Sequence, residues 1–133
     1  AANELAKIGI QAEVIDLRCL TPIDIKTLKA SLAKTGHLVV ADTGQSAFGV
    51  AAEVIAQASK YAFKYLKAAP RCIALPHVPT PTTPALADLF YPGAREISQT
   101  VHTMLRVEIP LPLAAPQELL WRDTPDPSFT GPY

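Results

Sequence analysis

The chain has 133 residues, enough for one domain that buries roughly two-thirds of the surface its unfolded form exposes. Apolar residues make up 49% and charged residues 18%, and no apolar run has the length of a membrane span, so the composition is that of a globular protein acting outside the bilayer. Twelve basic and twelve acidic residues balance to zero charge, which removes the positive field that nucleic-acid binding needs and argues against such a partner.

The opening residues lack a basic, apolar signal-peptide pattern. Two cysteines, Cys19 and Cys72, sit among strand-like apolar residues, so buried, reduced thiols and a cytoplasmic setting are expected.

Leu5 and Ile8, spaced i, i+3 before Gly9, predict the tail of a helix with a glycine stop. Residues 12–17, AEVIDL, predict a mostly buried strand. Thr21, Pro22 and Asp24 then supply an N-cap, a first-turn proline and an acid at the third helical position. The helix they start carries Ile25, Leu28 and Leu32 on one face and ends near Gly36.

Residues 37–42, HLVVAD, are nearly all apolar, as for a parallel strand covered on both faces. A turn over residues 43–49 leads into the longest helix. Ala51, Val54, Ile55, Ala58, Ala62, Tyr65 and Leu66 form its buried stripe, with Glu53, Gln57, Lys60 and Lys64 mainly outside it. A third strand is expected over 71–75. It runs into residues 76–84, where four prolines forbid helix and central strand alike.

A short helix over 84–90 and a last one over 95–106, with Ile97, Val101, Met104 and Leu105 inward, complete a domain expected to span residues 1–106. Residues 107–133 hold six prolines and form an extended tail, expected to lay Trp121 and Phe129 on a surface. Alternating strands and helices give an α/β fold: three layers, a mainly parallel sheet and helices on both faces. Such a domain normally starts with a strand, so a first strand preceding residue 1 is expected to be missing.

The turn over 43–49 joins a strand end to a helix N-terminus, where anions can bind, but its glycines lack the dinucleotide spacing. Asp42 and Glu53 are read as solvated or structural carboxylates rather than an acid–base pair. His37, His77 and His102 have no metal-ligand spacing, and the serines lack a Gly-x-Ser-x-Gly elbow. No catalytic, cofactor-binding or metal-binding residue is assigned. Gly44, Phe48, Gly49, Glu53, His77, Pro79, Trp121 and Phe129 are instead the candidates for interface or loop roles.

The run AEVIDLRCLTPID at 12–24 resembles a signature of the beta subunits of thiamine-dependent 2-oxo acid dehydrogenases. KTGHLVV at 34–40, FGVAAEV at 48–54, PHVPTP at 76–81 and PSFTGPY at 127–133 are similar to further motifs of that family, in the same order. His77 stands where the family usually has aspartate, and Asp42 precedes Thr43-Gly44 where an acidic pair is common. Transketolases and deoxyxylulose-phosphate synthases share the fold and are the alternative, beside a free-standing module that binds small anions.

The resemblance implies the C-terminal, transketolase-like domain of a subunit that helps decarboxylate a 2-oxo acid and pass the acyl group to a lipoyl arm. It implies a non-catalytic assembly role against a second beta subunit, an alpha subunit and the dihydrolipoyl acyltransferase core. Thiamine diphosphate and magnesium would be bound elsewhere in the enzyme, since no Gly-Asp-Gly element occurs here.

Overall fold

The computed structural model describes residues 1–110, side chains of residues 84, 85 and 88 excepted. Its elements, in chain order, are α1 (Ala2–Ala6), α2 (Ile25–Thr35), β1 (Val39–Gln45), α3 (Val50–Ala62), β2 (Arg71–Leu75), α4 (Pro84–Phe90) and α5 (Ala94–Leu105), with a short 3-10 turn at Phe63–Tyr65. β1 and β2 pair in parallel, Val39 opposite Arg71 and Ala41 opposite Ile73, joined by the α3 crossover. Both α3 and α5 pack against these two strands, and α1 packs against α5. The α/β, parallel-sheet class expected from the sequence is therefore the one observed.

The core lies between α2, α3 and the strands. Leu28 and Leu32 of α2 meet Val54, Ala58 and Ala62 of α3, with Leu17, Ile23, Leu38, Val40, Tyr65 and Leu66 packed around them. The α3 stripe follows its helical period: Ala51, Val54, Ala58 and Ala62 are buried and Glu53, Lys60 and Lys64 are exposed. Small alanines on this face let α3 approach its neighbours closely.

Helix ends follow local chemistry. Gly9, at φ 81°, closes α1: its N–H donates to the Ala6 carbonyl and the Ile10 N–H to the Leu5 carbonyl, the paired 5→2 and 6→1 bonds of a Schellman turn. Gly36, at φ 75°, ends α2 in the same left-handed conformation. At α5, Gly93 donates its N–H to the Glu96 carboxylate at 2.7 Å, occupying one of the donors a helix start leaves open.

Five expectations are corrected. Residues 12–17 form no strand, because among the described residues no strand lies alongside to take their backbone hydrogen bonds, and only Leu17 is part-buried. The N-cap of α2 is Asp24 rather than Thr21. The Asp24 carboxylate accepts both the N–H and the hydroxyl of Thr27, at 3.0 and 2.7 Å, which starts the helix at Ile25, three residues later than a cap at Thr21 would.

The strand expected over 37–42 instead covers Val39–Gln45, reaching into the expected turn. Cys19 and Cys72 are both exposed rather than buried, because the stretches that carry them, residues 18–22 and 71–72, are exposed throughout. On α5 the expected inward residues Ile97, Val101, Met104 and Leu105 are only part-buried. Ser98 is the buried one, at 1% exposure, and its hydroxyl donates to the Ala94 carbonyl at 2.8 Å. A small residue fits where the helix comes closest to its neighbours, and the hydrogen bond removes the cost of burying a hydroxyl.

Candidate functional site

The carboxyl end of the sheet gathers most of the candidate residues. Between Ala41 and Gln45 the ladder slips: three residues of β1, Asp42, Thr43 and Gly44, stand against Ala74 alone of β2. Such a bulge turns the strand and leaves backbone groups without ladder partners. Asp42 supplies the missing partner. Its Oδ1 accepts the Gly44 N–H at 2.9 Å and its Oδ2 accepts the Ala51 N–H, in the first turn of α3, at 3.1 Å. Ser46 then donates its N–H to the Leu75 carbonyl at 2.9 Å, tying the turn to the end of β2.

Gly49 is the N-cap of α3 with an extended backbone (φ −84°, ψ 175°). Its conformation would suit any residue, but a Cβ there would overlap the Gln45 carbonyl oxygen, so the close approach of the two backbones selects glycine. Phe48 before it lies at φ 60° with a fully exposed ring. A non-glycine residue in the left-handed region carries strain, and here the strained residue also presents an aromatic ring to water.

Beyond β2, His77 and Pro79 sit in the exposed loop and, with Val78, Thr80 and Gln45 of the facing turn, line an open groove of about 430 Å³. The structure thus brings Gly44, Phe48 and Gly49 into one turn and His77 and Pro79 onto the loop across the groove. Glu53 is exposed and accepts a hydrogen bond from Gln57 on its own helix, so it does not converge with Asp42. Trp121 and Phe129 lie outside the described residues.

The three histidines serve separate ends: His37 Nδ1 meets the Thr35 carbonyl at 3.0 Å and His102 Nε2 meets that of Ile109 at 2.7 Å. Among the described residues no cluster of histidine, cysteine or acidic side chains has the arrangement of a metal site. Although Cys72 on β2 is exposed as a residue, partial desolvation of its thiol, and then the nearby Asp42 charge, raises the thiol pKa, which lowers its thiolate content and hence its nucleophilicity.

Asp42 decides what this turn can bind. The α3 N-terminus is where a phosphate or diphosphate would seek N–H donors, yet a carboxylate of the chain itself already holds the Ala51 N–H. An entering anion would meet like charge and a donor already taken. The residues here do not fit the diphosphate of thiamine diphosphate, and the small-anion module loses its physical basis. Asp42 as the keystone of the turn, and Gln45, Val78 and Thr80 as groove residues, were not singled out from sequence. An aspartate two residues before glycine was the available signal for the Asx-type bond to the Gly44 N–H.

A parallel α/β domain with a glycine-bearing turn at the carboxyl end of its first strand defines the class, and comparison with known proteins specifies it. The family described as "Transketolase, C-terminal domain" matches residues 1–97, and the chain belongs to that family. The chain is similar to the acetoin:2,6-dichlorophenolindophenol oxidoreductase subunit beta of Cupriavidus necator, with 40% identity over 106 residues, covering 80% of this chain and 31% of that protein. It is 39% identical over 107 residues to the mitochondrial pyruvate dehydrogenase E1 component subunit beta of Chaetomium thermophilum, covering 80% and 28%. With its counterpart in Bacillus subtilis the identity is 37% over 105 residues, covering 79% and 32%. The chain therefore spans about a third of the length of these relatives.

Proposed function

We propose that this domain is the assembly domain of the beta subunit of a 2-oxo acid dehydrogenase, contributing contacts rather than catalytic groups. The observation that carries the reading is the 37–40% identity to beta subunits across four-fifths of the chain. The turn at Gly44, Phe48 and Gly49 and the loop at His77 and Pro79 form the contact surface, with Phe48 as its anchor. A rigid aromatic ring already held clear of the protein surface loses little entropy when a partner covers it. Glu53, on the exposed face of α3, borders this surface, and Trp121 and Phe129 of the tail extend the contacts.

The partners are a second beta subunit, an alpha subunit and the dihydrolipoyl acyltransferase core. Thiamine diphosphate and magnesium belong to the rest of the assembled enzyme. The relatives' names include both acetoin and pyruvate, so the substrate class is a small 2-oxo compound of that kind. No described helix is long and apolar enough to cross a membrane, and the working compartment is the cytoplasm.

Sedimentation velocity of the chain alone, and mixed with alpha subunit produced from the same genome, tests the reading. A heavier boundary that contains both proteins is expected, with no turnover of pyruvate or acetoin by the chain alone in the presence of thiamine diphosphate and magnesium. Independent sedimentation of the two at about 100 μM, or turnover by the chain alone, would sink it.

A further inference from the structure

Charge along α2 and α3 is segregated. Their acids stand at the start: Asp24 caps α2, Glu53 lies in the first turn of α3, and Asp42 accepts from the Ala51 N–H of that same turn. Residues 25–41 and 54–87 contain no acid at all, while Lys60, Lys64, Lys67 and Arg71 follow one another every three or four residues. None of these four forms an ion pair among the described residues, whereas Lys34 of α2 holds Glu13.

Backbone contacts gather the bases at one end of the sheet. Lys67 donates its N–H to the Gly36 carbonyl at 2.8 Å and Arg71 donates to that of Leu38 at 2.9 Å, so the C-terminal ends of α2 and α3 meet where β1 and β2 begin. The Lys67 stem lies over Gly36, where an added Cβ would come within 2.6 Å of its Cδ. A cation at a helix C-terminus complements the helix dipole, which accounts for Lys67. It does not account for the rings alongside. Phe63 is 74% exposed and Tyr61 46%, with Lys60 Nζ 5.0 Å from the Tyr61 ring centre and Lys64 Nζ 4.9 Å from that of Tyr65. Ammonium groups interleaved with open rings fit a segment that is both acidic and apolar.

We infer that this end of the sheet is the docking site of residues 118–126, ELLWRDTPD, from the tail of the same chain. Glu118, Asp123 and Asp126 flank Leu119, Leu120 and Trp121 there, with Arg122 as the one base, and the chain as a whole is neutral, so the tail acids balance surplus bases of residues 1–110. The tether is long enough. Asp126 lies 16 residues beyond Pro110, and at about 3.1 Å per extended residue that spans roughly 50 Å. A folded unit of this size has a radius of gyration of about 13 Å, so half its girth is also roughly 50 Å. A tethered segment meets its site at an effective concentration in the millimolar range, an advantage that a free polyanion lacks. The carboxylates hold the segment, which is compatible with the partner contacts proposed for Trp121 and Phe129.

Carbodiimide coupling of the 133-residue chain, with the monomer band mapped by mass spectrometry, tests the site. At about 20 mM salt, amide bonds are expected to join Lys60, Lys64 or Lys67 to Glu118, Asp123 or Asp126 within the monomer, and roughly 0.5 M salt should lower their yield about fivefold or more. Reversing both sets of charges together, Lys60→Glu, Lys64→Glu and Lys67→Glu with Glu118→Lys, Asp123→Lys and Asp126→Lys, should leave the same positions joined. Bonds made as often to Lys7, Lys26 and Lys29, bonds confined to a dimer band, or a yield indifferent to salt would overturn the site. So would a single-stranded oligonucleotide or a phosphatidylserine vesicle that binds the parent chain through Lys60, Lys64 and Lys67, because the occupant would then be another polyanion. None of these outcomes involves the alpha subunit, so this inference and the assembly reading fail separately.

Discussion

The Asp42 carboxylate is hydrogen-bonded to the Ala51 N–H at 3.1 Å, so the bulged end of β1 caps the helix that follows it. Its other oxygen holds the Gly44 N–H at 2.9 Å. Asp42→Ala removes both acceptors at once from a part-buried turn, and orphaned donors of this kind cost about 1–3 kcal/mol. Asp42→Asn keeps one carbonyl oxygen and is expected to lose about half as much. Urea denaturation of the three proteins gives the order wild type, Asp42→Asn, Asp42→Ala. Equal stability of all three would mean that water replaces the carboxylate without loss.

Gly49 and Gly44 lie in the same turn but face different neighbours, and the difference is measurable. A Cβ at Gly49 would overlap the Gln45 carbonyl oxygen, which is backbone and cannot swing away. At Gly44 it would stop 3.4 Å from the Asp42 carboxylate, an ordinary contact distance. Gly49→Ala should therefore destabilise by about 1–3 kcal/mol, as overpacking does, and Gly44→Ala by less than about 1 kcal/mol. Thermal melts of the two single variants make the comparison, and the reverse order would contradict the described turn.

How much of this was legible in the sequence depends on whether the deciding interaction is local. The stripe of α3, the span of β2 over Arg71–Leu75 and that of α4 over Pro84–Phe90 follow from periodicity and proline placement, and the structure has them. Residues 12–17 carry the composition of a strand, but a ladder needs a neighbour, which composition cannot supply. Both Thr21 and Asp24 are capping residue types, and the choice of Asp24 as N-cap follows the contact of its two oxygens with Thr27, a pairing that composition alone did not distinguish from a cap three residues earlier. At the candidate surface, Gly44, Gly49 and Phe48 stood out as turn residues. The reach of Asp42 across nine residues to Ala51 is a tertiary contact with no local signature.

Phe48 separates folding from binding. Its left-handed φ of 60° and exposed ring contribute nothing visible to the fold of this chain. Phe48→Gly relieves the backbone strain while loosening the unfolded chain, two opposed effects of about 0.5–1 kcal/mol each, so net stability should stay within about 0.5 kcal/mol. An aromatic anchor removed from an interface commonly costs 2 kcal/mol or more, about thirtyfold in Kd. Titration calorimetry against the alpha subunit, or sedimentation for self-association, should show that loss alongside an unchanged melting temperature. A variant that binds as well as the parent would remove Phe48 from the contact surface.

Two carboxylates of the α2 region set the acid side of the stability profile. Hydrogen bonds from the Thr27 hydroxyl and backbone hold the Asp24 carboxyl below its usual range, and Lys34, then Ser31, do the same for Glu13. A carboxylate depressed in the folded state stabilises it fully above the unfolded pKa, about 3.9 for aspartate and 4.3 for glutamate, and loses that effect as pH falls through the lower folded value. Stability should therefore be level from pH 7 to about 5 and decline below about 4.3. Both groups are solvent-exposed, so the contribution is modest and weakens with salt. Asp24→Asn keeps the capping shape without the charge: it should lower the melting temperature slightly at pH 7 and converge on the parent near pH 3. Melting curves at half-unit pH steps for both proteins would show this, and a gap that stays constant down to pH 3 would mean that the Asp24 charge plays no part in capping α2.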